Sequence, residues 1–471
     1  MSALDDVVNT FMNQWDVPGG AAAVTYQGRL VYARGFGYAD VDNQIPVEPT
    51  SLFRIASVSK SITGIAMAKL IEEGLLSTAD KVFGEGGILT GSRYDTLVDV
   101  RMQNITVGDL LHHTAGFGTL GNGRDPVFAD IYEESIMHFG LPHSPEDKIE
   151  FYLQKQTLKR ETGTAYEYSN LGYLILGRVI EQVTGMSYTD YCRTALFEPL
   201  GITSIKMGNS LLENRLPGEV LYYDYPQAPN VTSVYGTGAS VPWTYGGMNV
   251  ETFDSHGGWA ASAVDLLRLL TAVDGFSTRP DILTSSGIAA MTSTTPQSAG
   301  YAFGFSTNQF DNWWHMGSIP GATAMWARIN NGVNFVFLFN TRPGNQLSQF
   351  NGEVDALYWN AQANFTSWPA HDLFDQFTSI EPTADGTSLS IDLYPNPSTE
   401  RVNVRLNGGA TGSASLSVYD LLGRKVKAVY DGVIAGETEL SIDISELTNG
   451  LYLARAQSGS QVATRQFVVQ R

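Results

Sequence analysis

Two hairpin patterns bracket the first 370 residues of this chain, and the stretch between them reads as helix and loop. Near the start, residues 21–26 and 30–38 are apolar runs around a Gln27-Gly28 turn. Far downstream, residues 322–329 and 333–340 flank Asn330-Asn331-Gly332, whose chemistry suits a tight hairpin. Strands at both ends with helices between them imply one antiparallel sheet built from both termini, interrupted by a large all-helical insertion. Phe335, Val336, Phe337, Leu338 and Phe339 form an unbroken apolar run, so helices should cover both faces of the sheet. Leu4, Val7, Val8, Phe11, Met12 and Trp15 have helical spacing, and residues 353–365 read as a second flanking helix. The expected fold class is α/β (α+β), an antiparallel sheet flanked by helices.

Inside that frame, residues 54–71 read as a central helix. Ile62, Ile65, Ala66, Met67, Leu70 and Ile71 make it apolar on nearly every side. It carries Ser57 and Lys60, whose spacing puts both side chains on one helix face. A serine hydroxyl is a weak nucleophile until a neighbouring base takes its proton. At a helix start it also lies near the positive end of the dipole, where oxyanion charge is favoured. Alone, Ser-x-x-Lys is weak, because a serine cap followed by a solvated lysine gives the same pattern.

Composition removes several classes of function. The chain has 471 residues and a formal net charge of −19, which disfavours nucleic acid and anionic membrane as partners. From Thr387 onward it carries eight basic and eight acidic residues, so the whole excess of acid falls on residues 1–386. This asymmetry suggests two units. Cys192 is the only cysteine, which leaves no internal disulfide and no cysteine-based metal site. No stretch approaches the length of a membrane span, and Met1-Ser-Ala-Leu-Asp-Asp does not read as a signal peptide.

The insertion mixes short helices with long loops. Residues 105–116 read as one helix whose adjacent His112 and His113 point about 100° apart and suit packing or capping rather than chelation. Residues 171–183 and 261–273 are apolar helices, and Cys192 falls in a helical pattern over 188–197. Residues 209–255 are irregular and rich in Tyr, Pro and Gly; a pocket wall and a packed loop both fit. Residues 379–388 have linker composition. Beyond them come short alternating strands punctuated by turns at Asn407-Gly408-Gly409, Gly423, Gly436 and Asn449-Gly450, the pattern of a small all-β sandwich. The expected units are 1–375, a linker at 376–388, and 389–471.

Two further segments carry chemistry. Tyr168 and Asn170 form Tyr-x-Asn. A tyrosine beside a lysine can be held partly as phenolate, then act as base to Ser57 and acid to the leaving group. Asn170 could meet the substrate or orient Lys60. In Trp314-His315-Met316-Gly317-Ser318, His315 and Gly317 share one side of an extended strand, and a glycine lets a substrate approach the backbone. The Ser318 amide could pair with that of Ser57 around an oxyanion.

Taken in order, Phe53-Arg-Ile-Ala-Ser-Val-Ser-Lys60, residues 105–116, Tyr168-Ser-Asn170, His256-Gly257-Gly258 and His315-Met-Gly317 resemble the serine β-lactamase and penicillin-binding-protein superfamily, nearest its class C branch. The resemblance covers about residues 5–365. It implies acylation of Ser57 and hydrolysis of the acyl-enzyme by water, with Lys60 and Tyr168 as its acid–base groups and no metal or cofactor. Asn170, His315, Gly317 and Ser318 would line the substrate and oxyanion site. The implied substrates are small esters, amides or peptides. β-Lactamases of this branch usually carry Lys-Thr-Gly as the third element; His315-Met-Gly317 is similar to peptidase and esterase relatives. A class C β-lactamase, a D-alanyl-D-alanine carboxypeptidase and an inactive peptidoglycan-binding relative stand as alternatives. Separately, Leu393-Tyr-Pro-Asn-Pro-Ser398, Val418-Tyr-Asp-Leu-Leu-Gly-Arg424, Asn449-Gly-Leu-Tyr-Leu453 and Gln466-Phe-Val-Val469 resemble the C-terminal sorting domain of type IX secretion cargo. That resemblance implies a partner in the type IX machinery and a protein secreted or displayed by a Bacteroidetes-like Gram-negative cell, its leader absent from this sequence.

Overall fold

The computed structural model describes residues 2–365, 367–377, 390–394, 398–419, 425–458 and 461–469. It divides into two compact units, one built almost wholly from residues 1–378 and the other mainly from 379–471. Most of the expected linker lies outside the described residues, as do Gly423 and parts of two of the tail motifs.

The larger unit is organised by a seven-stranded antiparallel sheet. In chain order its strands are β1 (Gly19–Tyr26), β2 (Arg29–Asp40), β3 (Ile45–Pro46), β4 (Ser306–Thr307), β5 (Trp313–Ile319), β6 (Ala322–Ile329) and β7 (Val333–Phe339). Their spatial order is β3-β2-β1-β7-β6-β5-β4, so the sheet is closed where β1 from the N-terminal side pairs with β7, Gly20 opposite Phe339 and Tyr26 opposite Val333. All seven residues of β7 are buried. Phe335, Phe337 and Phe339 pack with Leu4, Val8, Phe11 and Met12 of the helix Ser2–Gln14 and with Phe350, Val354 and Leu357 of the helix Leu347–Gln362. The helix Ala263–Leu270 lies against β1, β2 and β7. Residues 371–377 still belong to this unit: the Leu30 N–H donates to Asp372, and the Leu373 N–H donates to the Leu30 carbonyl.

The insertion contains the helix Ser59–Glu72, in which eleven of fourteen residues are buried. Gly64 is required there, because an added methyl would run into the Phe303 carbonyl. The helix expected over 105–116 is shorter. Thr106 and Asp109 form a reciprocal capping box, and the helix Val107–Leu111 ends before His112, with His113 in the left-handed region at φ 57°. Cys192 is buried and free.

The smaller unit is a five-stranded antiparallel sheet. Its turns differ from the expectation. Asn407-Gly408 and Gly436 lie within two long strands, Arg401–Tyr419 and Lys425–Asp443, which stay paired through a register shift between Gly408 and Gly412. The first half of Arg401–Tyr419 also pairs with Ser390–Tyr394 and the second half with Gly450–Ser458. Val402, Val404, Leu406, Leu416, Val418, Ile442 and Phe467 form its core.

Candidate active site

Ser57 sits in a single helical turn, Ala56–Val58, that feeds directly into the helix Ser59–Glu72. Ala56 adopts φ 47°, a conformation that L-residues avoid and that a rigid surround must enforce. Arg54 supplies part of that surround. Its guanidinium donates to the carbonyls of Thr244 (2.8 Å) and Asn209 (2.6 Å) and lies 4.2 Å from the ring of Tyr222. One buried side chain thus ties the Ser57 turn to the irregular segment 209–255.

The expected partners converge on Ser57. Lys60 Nζ donates to Ser57 Oγ at 3.1 Å, to Asn170 Oδ1 at 2.6 Å and to the His256 carbonyl at 2.8 Å, which uses all three ammonium protons. Tyr168 Oη donates to Ser57 Oγ at 2.9 Å. Lys60 is wholly buried, and burial pulls its pKa down to about 7 against the opposing pull of Asp125. Tyr168 is 40% exposed, yet desolvation by the surrounding protein raises its phenol above the usual value. Both shifts run against the expected phenolate at Tyr168 and favour a readily deprotonated Lys60.

Asn170 faces Lys60 with its carbonyl and donates its amide to Asp125 Oδ2 at 2.8 Å, so it orients the lysine. His315 is buried within β5. Its Nδ1 lies 2.7 Å from the Met316 carbonyl, which can only accept, so Nδ1 carries the proton and Nε2 accepts from Tyr301 Oη at 3.0 Å. Burial and the nearby Lys60 push its pKa down to about 3, leaving it neutral. Gly317 also has a packing task that its sequence did not suggest. A methyl there would overlap the Ile55 carbonyl and stand 3.0 Å from the Ser57 amide nitrogen, so the glycine lets β5 press against the nucleophile turn. Gly317→Ala is therefore expected to cut kcat/KM by about 10² to 10³, the worth of one lost oxyanion donor, and to lower Tm, because the methyl meets backbone; wild-type kinetics from this variant would show that the close approach is dispensable. Ser318 follows at the end of the strand and lines a cavity of about 720 Å³. Phe128, Ile131, Val231, Val234, Trp243 and Arg342 form other parts of its wall, so part of segment 209–255 lines this cavity.

Three contributors were invisible in the sequence. Asp125 lies in a loop without periodicity. Tyr301 contacts His315. The His113 ring packs at a tilt against that of Tyr168, centroids 4.4 Å apart, and both its Nδ1 and its carbonyl accept backbone N–H groups, those of Ser169 (3.1 Å) and Glu167 (2.8 Å). The His112-His113 pair carried a packing signal but not this target.

A serine whose hydroxyl is shared by a buried lysine and a tyrosine, beneath an antiparallel sheet, is the arrangement of a serine hydrolase. The chain belongs to the Beta-lactamase family, which it matches over residues 4–358. Residues 392–470 match the secretion system C-terminal sorting domain. Among curated proteins, the penicillin-binding protein 4* of Bacillus subtilis (strain 168) is 30% identical over 214 residues, 44% of this chain and 41% of that one. The chain spans less than half the length of the curated relatives it matches. Among solved structures, the D-amino acid amidase from Ochrobactrum anthropi SV3 aligns with a TM-score of 0.59 at 20% identity, covering 77% of this chain and 98% of that one. EstCE1, a hydrolase with promiscuous acyltransferase activity, aligns with a TM-score of 0.57 at 21% identity, covering 76% and 99%. Among the described residues no helix is long and apolar enough to cross a membrane.

Proposed function

We propose that the protein is an exported serine hydrolase that forms an acyl-enzyme on Ser57 and acts on esters or D-amino-acid amides and peptides. The observation that carries this reading is the pair of contacts on Ser57 Oγ, 3.1 Å from Lys60 and 2.9 Å from Tyr168, with Lys60 poised to be neutral. As an amine, Lys60 takes the Ser57 proton while Oγ bonds to the carbonyl carbon. The N–H groups of Ser57 and Ser318 receive the developing oxyanion. Tyr168 gives its proton to the departing alcohol or amine, and the proton held by Lys60 restores the phenol. Water then repeats the sequence to release the acid. Since the amine is the active form and half of Lys60 is protonated near pH 7, kcat/KM should rise with pH along an acid limb whose apparent pKa is near 7. A limb near 4, or a flat profile, would remove Lys60 as the base.

The substrate preference rests on His315. β-Lactams and D-alanyl-D-alanine peptides carry a carboxylate beside the scissile bond, and a neutral histidine offers it no charge. The acidic surface of the larger unit also repels anions at low salt. Esters and D-amino-acid amides lose nothing by this, and the likeness to an amidase and to EstCE1 agrees with that class. One observation favours a second reading, in which carboxylate-bearing peptides or β-lactams are accepted: Arg342 lines the cavity beside Ser318 and joins no ion pair among the described residues. Steady-state kinetics on p-nitrophenyl butyrate, a D-alanine amide, a D-alanyl-D-alanine peptide and nitrocefin test both. The first two should give the highest kcat/KM; a higher value for nitrocefin would overturn the preference.

The sorting domain supports export through a type IX pathway to the surface or medium of a Bacteroidetes-like cell. A chain ending near Gly386 should keep its hydrolytic activity in solution and lose surface display in such a host. Unfolding of residues 1–377 on truncation would make the tail structural.

A further inference from the structure

We propose that Asp125 is a positioning residue for Lys60 and acts through the side-chain amide of Asn170. The relay is short: Lys60 Nζ donates to Asn170 Oδ1 (2.6 Å), and Asn170 Nδ2 donates to Asp125 Oδ2 (2.8 Å). An amide has one accepting end and one donating end. With a carboxylate on one side and an ammonium on the other, only one orientation satisfies both. Flipped, the amide would set donor against donor at Lys60 and acceptor against acceptor at Asp125. The carboxylate is itself fixed, since Asp125 Oδ1 accepts the Val127 N–H at 3.0 Å and its carbonyl accepts the Phe128 N–H at 3.1 Å.

Charge makes the position informative. Tyr168, Tyr173, His113, His256 and His315 surround Lys60, and burial holds all of them in their neutral forms. Asp125 is the carboxylate that favours the Lys60 ammonium; burial raises its own pKa, against the hydrogen bonds from Val127 and Asn170 and the charges of Lys60 and Lys148. Desolvation of Lys60 and attraction by Asp125 oppose each other, and their balance leaves the lysine near neutrality.

The inference rests on the reading of Lys60 as base, which the position of the wild-type acid limb near pH 7 tests separately. The experiment is the pH dependence of kcat/KM for p-nitrophenyl butyrate in D125N and D125E. In D125N the ammonium loses its countercharge, so the acid limb should move to lower pH. Above the limb kcat should fall roughly tenfold with little change in KM, because the Asn170 amide loses its fixed orientation. D125E keeps the charge and should keep the limb at its wild-type position. If D125N does not fold, D125S reads the same displacement. A merely structural role would lower activity without moving the limb. A limb in D125N, or in D125S, that coincides with wild type would overturn the proposal.

Discussion

Ser57→Ala is expected to abolish ester hydrolysis, a loss on the order of 10⁵-fold or more, while the folded protein survives. The hydroxyl is held by Lys60 and Tyr168 and does no packing: the hydrophobic neighbours of the turn are Ile55, Ala56 and Val58, all fully buried. The buried Lys60 loses one acceptor, so stability should fall by no more than about 1–3 kcal/mol. Circular dichroism and a melting curve measured beside the kinetics separate the two effects. Full activity in this variant would remove Ser57 as the nucleophile.

Lys60→Ala and Tyr168→Phe should each cost roughly 10² to 10⁴ in kcat, the usual worth of a positioned acid–base group. Their stability effects should differ. Lys60→Ala leaves the part-buried Asn170 carbonyl and the buried His256 carbonyl without their donor, at about 1–3 kcal/mol. Tyr168→Phe keeps the ring against His113 and gives up one hydrogen bond, to Ser57. The two groups act on one oxygen, so the double variant should lose far less than the product of the single losses. Multiplicative losses would mean that the two residues act in separate steps.

Much of this architecture was legible in the chain. The closure of the sheet by β1 and β7 follows from apolar runs at both ends and from the Asn331-Gly332 turn. The proximity of Ser57 and Lys60 follows from helical spacing. What escaped was set by distance and burial. Asp125 and Asn170 are 45 positions apart, and nothing in the loop around Asp125 repeats or alternates. The protonation states of Lys60 and Tyr168 depend on how much water reaches them, which residue order does not encode. The close approach of Gly317 to the Ile55 carbonyl escaped because the two are far apart in sequence. In the tail, Gly408 and Gly436 carry the composition of turns, but they face each other across a continuous ladder. There glycine marks an irregular register instead of a chain reversal.

The central claim is that Ser57 is an activated nucleophile, as opposed to a relic in a protein that only binds peptidoglycan. A fluorescent phosphonate tests it directly, because it bonds only to a serine that can attack. The account predicts one adduct, located by peptide mass spectrometry on the segment containing Ser57, forming faster as pH rises through about 7 and absent from Ser57→Ala. A folded wild-type protein that takes no label, or takes it on another residue, would contradict it.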